Sequence, residues 1–464
     1  MPIPNVTSTY LGSNAAPTPN ANALRVLAIV GEGALTFTIT EKVTRSALSY
    51  DVLAHNVTSV LRVGNFSTTT DYLQTTNYTF SSGSPNLTWV TGSPTTGASY
   101  YVTYTYAKTT AEMLPKLYTN FNDILRDQGP MQLDGNGNLL PSSYLTMAAQ
   151  IAMSPGIGAT QLILAQIKPA TAGVPVAADF TGMLANLINP VSGITPYYIV
   201  PLGGLLADLD VGSVNGAYLN HAIQMADPQF KKERRIYTGA KNNSSFNSVL
   251  AAGASLGIDP VGSSRLTFVG NYDPQLTVAT STGTGSRTVT LDGFFSAVAV
   301  AAFRSSQQVA KPALNKSIPA FNGFVSHFTD QQNDQLNDGG VTVMALDGGT
   351  VRLLNDVTVN TVNDIESSIP TVETRDDLIK AMRSMLRANF IGLQGSPTIP
   401  AQIEEASDSF LDTRRSSGDI QSYSPSKASL VPLTSTRYTV SFSYFPAGEV
   451  LQINVAFSID LSLA

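Results

Sequence analysis

Tyr438-Thr439-Val440-Ser441-Phe442-Ser443-Tyr444 alternates bulky apolar side chains with small hydroxyls, and beyond Pro446-Ala447-Gly448 the alternation resumes. The second run sets Ile453, Val455, Phe457, Ile459, Leu461 and Leu463 on one face, with mostly polar or small residues between them. Successive side chains of a strand point to opposite faces, so period two over roughly eleven residues predicts a long strand with one apolar face. A strand of that kind left unpaired invites association. It is either the last strand of a hairpin in the chain's own sheet or a strand donated to a neighbouring copy.

At 464 residues the chain has room for two to four domains. Its hydrophobic content, 43%, is ordinary, but only 13% of its residues are charged, against about 25% in typical globular proteins. A surface so poor in charge resists association weakly, which favours large protein–protein contacts. The net charge of −6 argues against nucleic acid as a partner. The absence of cysteine excludes disulfides, thiolate catalysis and cysteine-ligated metals. The first 23 residues lack the basic-then-apolar order of a signal peptide, and no apolar run approaches the ~20 residues that span a bilayer. A soluble protein without membrane insertion is expected.

Composition divides the chain further. Residues 1–23 read as an extended N-terminal arm, and 24–35 carry a first core strand, Leu24–Val30. Residues 36–107 are rich in Thr, Tyr and Val, with short alternating runs such as Leu87–Val90 and Tyr100–Tyr106 between turn signals, which predicts an inserted, β-sandwich-like domain. Helices and strands alternate over 108–290, for example a helix at Val176–Ile188 before the strand Tyr197–Val200, so an α/β layer with a largely parallel sheet is expected there. Residues 291–432 form a C-terminal core domain. In it Asp347-Gly348-Gly349 marks a hairpin, helices run over Asp376–Ile391 and Ile403–Thr413, and Ser416–Pro432 reads as a loop. The strand arm is 433–464. The fold class is mixed α/β and multidomain.

Catalytic signatures are present only in outline. Gly253-Ala254-Ser255-Leu256-Gly257 matches the nucleophile elbow, but a helical stretch precedes the serine where a strand is needed, and Gly257 reads as a helix C-cap. Gly156-Ile157-Gly158 precedes its strand and has Gln161 where a dinucleotide loop needs glycine. Asp134-Gly135-Asn136-Gly137-Asn138 lacks the later glycine and glutamate of a calcium loop and fits a tight turn. The three histidines, His55, His221 and His327, have no ligand spacing. Lys231-Lys232-Glu233-Arg234-Arg235 reads as a solvated helix-to-strand loop. No catalytic residue, metal site or cofactor is expected, and the chain is read as not an enzyme.

One helix is distinctive. Projected at 100° per residue, Leu378, Ile379, Met382, Met385, Leu386 and Phe390 share a broad arc, and Lys380, Arg383 and Arg387 form a stripe opposite it. The bland reading is a solvated face; the sharper one is a docking surface for an acidic partner. Glu404, Glu405, Asp408 and Asp412 on the next helix are the second candidate contact.

From about Asn337 onward the order of features resembles the C-terminal core of contractile phage tail sheath proteins, and of sheaths from other contractile injection systems. The features are Leu336–Val341 leading to Gly348-Gly349-Thr350-Val351-Arg352, the helix Arg375–Phe390, a helix ending near Gly418-Asp419-Ile420, and the long apolar C-terminal strand. The resemblance implies a sheath core with extended arms that complete neighbours' sheets, so that Ile453–Leu463 pairs in trans. It implies a virion structural protein, assembled in the host cytoplasm as stacked hexameric rings around an inner tube, whose contraction drives the tube through the host envelope. Its partners would be further copies of itself, the inner tail tube, baseplate and tail terminator proteins, with Lys380, Arg383 and Arg387 facing the tube. Another self-assembling virion or tube protein, or an α/β hydrolase, are the alternative readings.

Overall fold

The computed structural model describes residues 26–65, 71–169, 175–191, 193–203, 214–227, 229–242, 244–257, 263–279, 286–392, 396–430 and 438–447. The run Leu27-Ala28-Ile29-Val30 is buried on both faces, as a continuous apolar strand demands. It lies inside a sheet whose strands run in the order Val341–Thr342, Leu266–Val269, Arg235–Gly239, Tyr198–Pro201, Leu27–Glu32, Leu162–Ile167 and Lys116–Tyr118. All neighbours are parallel except the last pair.

Alternate residues of each strand feed two cores. Leu27, Ile29, Leu162, Leu164 and Val200 meet the helices Tyr144–Ala152 and Phe294–Ser306 on one face. Ala28, Val30, Ile163 and Ile199 meet Val214–Ala226 and Phe246–Leu256 on the other. Phe294–Ser306 is buried almost all round, so it is an interior helix of the kind an apolar sequence without a polar face must form. The chain is therefore mixed α/β and multidomain.

The strand-rich segment departs from the main sheet after Glu32 and returns at Lys108. Its first and last strands, Thr36–Thr44 and Ser99–Ala107, pair in full register, so entry and exit lie side by side, and the Lys108 amide donates to Leu35 O at 2.8 Å. Its six strands belong to one antiparallel sheet, not two stacked ones. The fifteen-residue strand Tyr50–Gly64 pairs with Ser84–Trp89 along its first half and with Ser99–Ala107 along its second, through register shifts, and this exchange of partners curls the sheet. Val57, Leu87, Trp89, Tyr100, Val102 and Tyr104 form a separate core there. Asp51, only 2% exposed, is held inside it by Trp89 Nε1 and Tyr100 OH at 2.8 and 2.7 Å.

Several local expectations are corrected. Val176–Ile188 is two short helices, Ala177–Thr181 and Leu184–Leu187, broken at Gly182. Leu336 belongs to a helix, Asp330–Asp338, capped by Thr329 and Gln332, and Val341–Thr342 joins the main sheet, so the hairpin is the shorter Met344–Asp347 and Thr350–Leu353. Gly348 and Gly349 supply its positive φ angles, 55° and 80°. Gly257 is the C-cap of its helix, as expected, but with φ −82° and not in the left-handed region; a Cβ there would meet Val359 O at 2.6 Å. The helices are longer than expected, Ile369–Phe390 and Ile399–Ser416, because Pro370 and Pro400 stand in their first turns, where no amide is needed. Ser416–Pro432 is not all loop: it contains the strands Ile420–Tyr423 and Lys427–Leu430.

Candidate assembly interface

Those two strands pair antiparallel with Tyr444–Pro446 and Tyr438–Ser441. Ser424 and Ser443 bridge them, with the Ser424 amide donating to Ser443 O at 2.8 Å, so the four strands make one two-stranded ribbon. The alternation of Tyr438, Val440, Phe442 and Tyr444 is realised: all four are half-buried, and the intervening Thr439, Ser441 and Ser443 are exposed. Phe442 and Tyr444 pack on a small core of Leu378, Met382, Met385, Phe410, Leu411 and Ile420, which belongs to the two long helices.

A ribbon of two strands is marginal alone. Here the helix Ile399–Ser416 braces it: Glu404 accepts from the Ala428 amide at 2.8 Å, Asp408 from the Ser426 amide at 2.8 Å, and Tyr423 OH donates to Asp408 O at 3.2 Å. Among the described residues no third strand pairs with either edge. The run Ile453, Val455, Phe457, Ile459, Leu461 and Leu463 lies outside the described residues.

The long helix Ile369–Phe390 joins this ribbon unit to the main body, and its two halves do so by different chemistry. The C-terminal half contributes Leu378, Met382 and Met385 to the small core. The N-terminal half turns Glu373 and Asp376 onto the amino ends of the sheet strands. Arg304 pairs with Glu373 and with Asp356, at 3.0 Å for the latter, and all three side chains are sealed from water. Tyr198 OH donates to Glu373 at 3.0 Å. Arg265 grips Asp376 with two bonds of 2.9 and 3.2 Å, and Tyr197 OH adds a third at 2.9 Å. Burial raises the Asp376 carboxyl, but Arg265 and Arg375 outweigh it and hold it below the usual carboxylate range. Asp377, beside Arg414, is raised instead because burial outweighs its partner.

The cationic stripe is divided. Lys380 Nζ donates to Glu233 O at 3.2 Å and stands over the Tyr197 ring, 4.8 Å from its centroid; burial pushes its ammonium down to about 8. Arg383 pairs with the Glu233 carboxylate. Only Arg387, one turn on, is exposed among the three. Their common partner belongs to the basic run, and that run is no solvated loop. Lys231 is exposed, but Glu233, Arg234 and Arg235 are 2%, 0% and 0% exposed, because they enter a central strand beneath the long helix. The spacing within either segment gives no sign that they meet. Of the four acidic candidates, Glu404 and Asp408 hold the ribbon, Asp412 pairs with Arg415 at 2.8 Å, and Glu405 is exposed.

Comparison with known proteins bears on what this architecture is. Residues 18–123 match a family model described as a domain of unknown function, DUF4815. A tail sheath protein of Enterococcus phage phiEF24C is 25% identical over 271 residues, which are 56% of this chain and 43% of that one, so the match spans under half of the relative's length. The helical sheath of the anti-feeding prophage in its contracted state superposes over 99% of this chain and 100% of its own, with a TM-score of 0.56 at 12% identity. The chain has the tail sheath fold. The sheath of an extracellular contractile injection system, PVC, also in its contracted state, shares it over 75% of this chain and 87% of its own, with a TM-score of 0.53 at 10% identity. In the sheath fold seen here the parallel sheet is sealed at its amino ends by the long helix. No helix of the described residues is long and apolar enough to cross a membrane.

Proposed function

We propose that this chain is a structural subunit of a contractile tail sheath, which polymerises as stacked hexameric rings around an inner tube and contracts to drive the tube through an envelope. The observation that carries this reading is the terminal ribbon. It is braced on one helix, has two strands and no third among the described residues, and is followed in sequence by the apolar alternation Ile453–Leu463. Strand addition between copies satisfies the backbone groups of an open edge, and alternate side chains set its register. A contact of that kind repeated without closure builds a filament. The sheath fold and the phage relative support the same role.

In this reading Arg387 is the member of the stripe left to meet an acidic tube, because Glu233 already engages Lys380 and Arg383. Deleting Val450–Ala464 tests the strand contact. Expected is a soluble subunit with an unchanged melting temperature that forms no cylinders in negative-stain electron microscopy. Persisting cylinders, or a collapse of the melting temperature, would place the strand in the chain's own sheet. In the same assay Arg387→Glu is expected to leave cylinders intact and weaken co-assembly with purified tube; unchanged tube binding removes that contact from the reading.

A further inference from the structure

The terminal ribbon has two long edges, and they differ in what their backbone groups meet. On the strand Lys427–Leu430 and the residue before it, the outward amides are already taken. The Ala428 amide donates to Glu404 Oε1 and the Ser426 amide to Asp408 Oδ1, both at 2.8 Å. The two elements match in pitch. Four residues of helix rise about 6 Å, and alternate residues of a strand lie about 6.7 Å apart. Carboxylates at positions 404 and 408 therefore fall opposite every second amide of a strand that runs the other way.

The opposite edge is different. In an antiparallel pair, successive residues turn their backbone groups to opposite sides. Ser426 and Ala428 face the helix, so Lys427 and Ser429 face inward, where they meet Ser441 and Thr439. Val440 then turns its amide and carbonyl outward, and among the described residues no strand pairs on that side. A strand arriving at the first edge would set its carbonyls against carboxylate oxygens, acceptor against acceptor. A strand arriving beside Val440 finds both a donor and an acceptor.

We infer that Glu404 and Asp408 are edge guards, which confine strand addition to the Tyr438–Pro446 edge. Each ribbon then takes one Ile453–Leu463 strand from a second copy and no more. The inference rests on the strand exchange proposed above; it adds which edge receives the strand and which residues decide. A single accepting edge links copies in an unbranched series, whereas two would let one subunit capture two arms.

The test uses the full chain carrying Val455→Pro and Ile459→Pro, whose own arm cannot make ladder hydrogen bonds. The probe is a peptide of residues 450–464 with a solubilising lysine tag, titrated by calorimetry. Expected is about one bound peptide per chain with the native guards and about two when Glu404→Ala and Asp408→Ala are added. The backbone bonds that hold the ribbon survive in that variant, Ser426 Oγ to Glu404 O at 3.0 Å and Tyr423 OH to Asp408 O at 3.2 Å. Glu404→Gln with Asp408→Asn keeps a carbonyl acceptor at each position and should stay at about one. Glu405→Ala with Asp412→Ala removes the same two charges without freeing an amide and should also stay at about one. Equal stoichiometry in all four chains would overturn the guards and leave strand exchange standing; no binding by any would overturn both. A measurement on native guards stands even where the alanine variant does not fold. Added peptide should slow hydrogen exchange at the Val440 amide and leave the Ser426 and Ala428 amides unchanged. Slowing at Ser426 and Ala428 would overturn the inference.

Discussion

His221 shows how a single side chain is settled by its surroundings. It sits in the helix Val214–Ala226 at 6% exposure, and its Nε2 faces Arg234 Nη1. Arginine only donates, so Nε2 accepts and the proton of the neutral ring is on Nδ1. Burial, and then Arg234, push its pKa down to about 3. The unfolded chain, with an ordinary histidine near 6.5, binds more protons between those values, so this residue's contribution is full above pH 6.5 and is lost as pH falls toward 3. A His221→Gln variant keeps an acceptor for Arg234 and does not titrate. Denaturant titrations at pH 7 and pH 4 should show the parent losing about 3 kcal/mol more than this variant. An equal loss in both would mean that His221 is already charged or well solvated in the folded protein. At this scale the sequence was a poor guide: five charged letters at Lys231–Arg235 look solvated, and only the strand that receives them and the helix above bury three of them.

Elements fared better where their own physics sufficed. The apolar strands, the alternation at Tyr438–Tyr444 and the Asp347-Gly348-Gly349 turn each carry a local period or a required backbone conformation, and all are present. The helix Asp330–Asp338 has little apolar surface to betray it; its one signal was Thr329 with Gln332 three residues on, a capping pair. The joint between the long helix and the sheet contains directional charge pairs sealed from water. Replacing Arg304 by Met should therefore strand two carboxylates, Asp356 and Glu373, in a site without water. A loss of about 3–5 kcal/mol in urea unfolding is expected. A loss below about 1 kcal/mol would show that the pair contributes no more than a surface bridge does.

At the scale of the whole molecule the inserted sheet leaves and rejoins the body side by side. Its linkers are hydrogen-bonded to each other at Leu35 and Lys108, and Lys108 Nζ reaches Gln128 and Gln166 at 3.0 and 2.6 Å near the carboxyl end of the main sheet. Because entry and exit are adjacent, a short Gly/Ser linker in place of Thr36–Ala107 should leave a folded body with a single cooperative melt and intact polymerisation. Failure of the remaining chain to fold would make the insertion part of the core. What the sequence by itself determined were the quantities that depend on near neighbours: strand and helix periods, turns, the charge-poor composition, and a change of character near residue 36 and again near 107. What the tertiary structure decided were the meetings of distant segments, Glu233 with Lys380 and Arg383, and Arg304 with Asp356 and Glu373. Those contacts span from 52 to 150 residues of chain. Charge pairs act through distance in space, which no local pattern encodes, whereas burial of an apolar face leaves its period in the sequence.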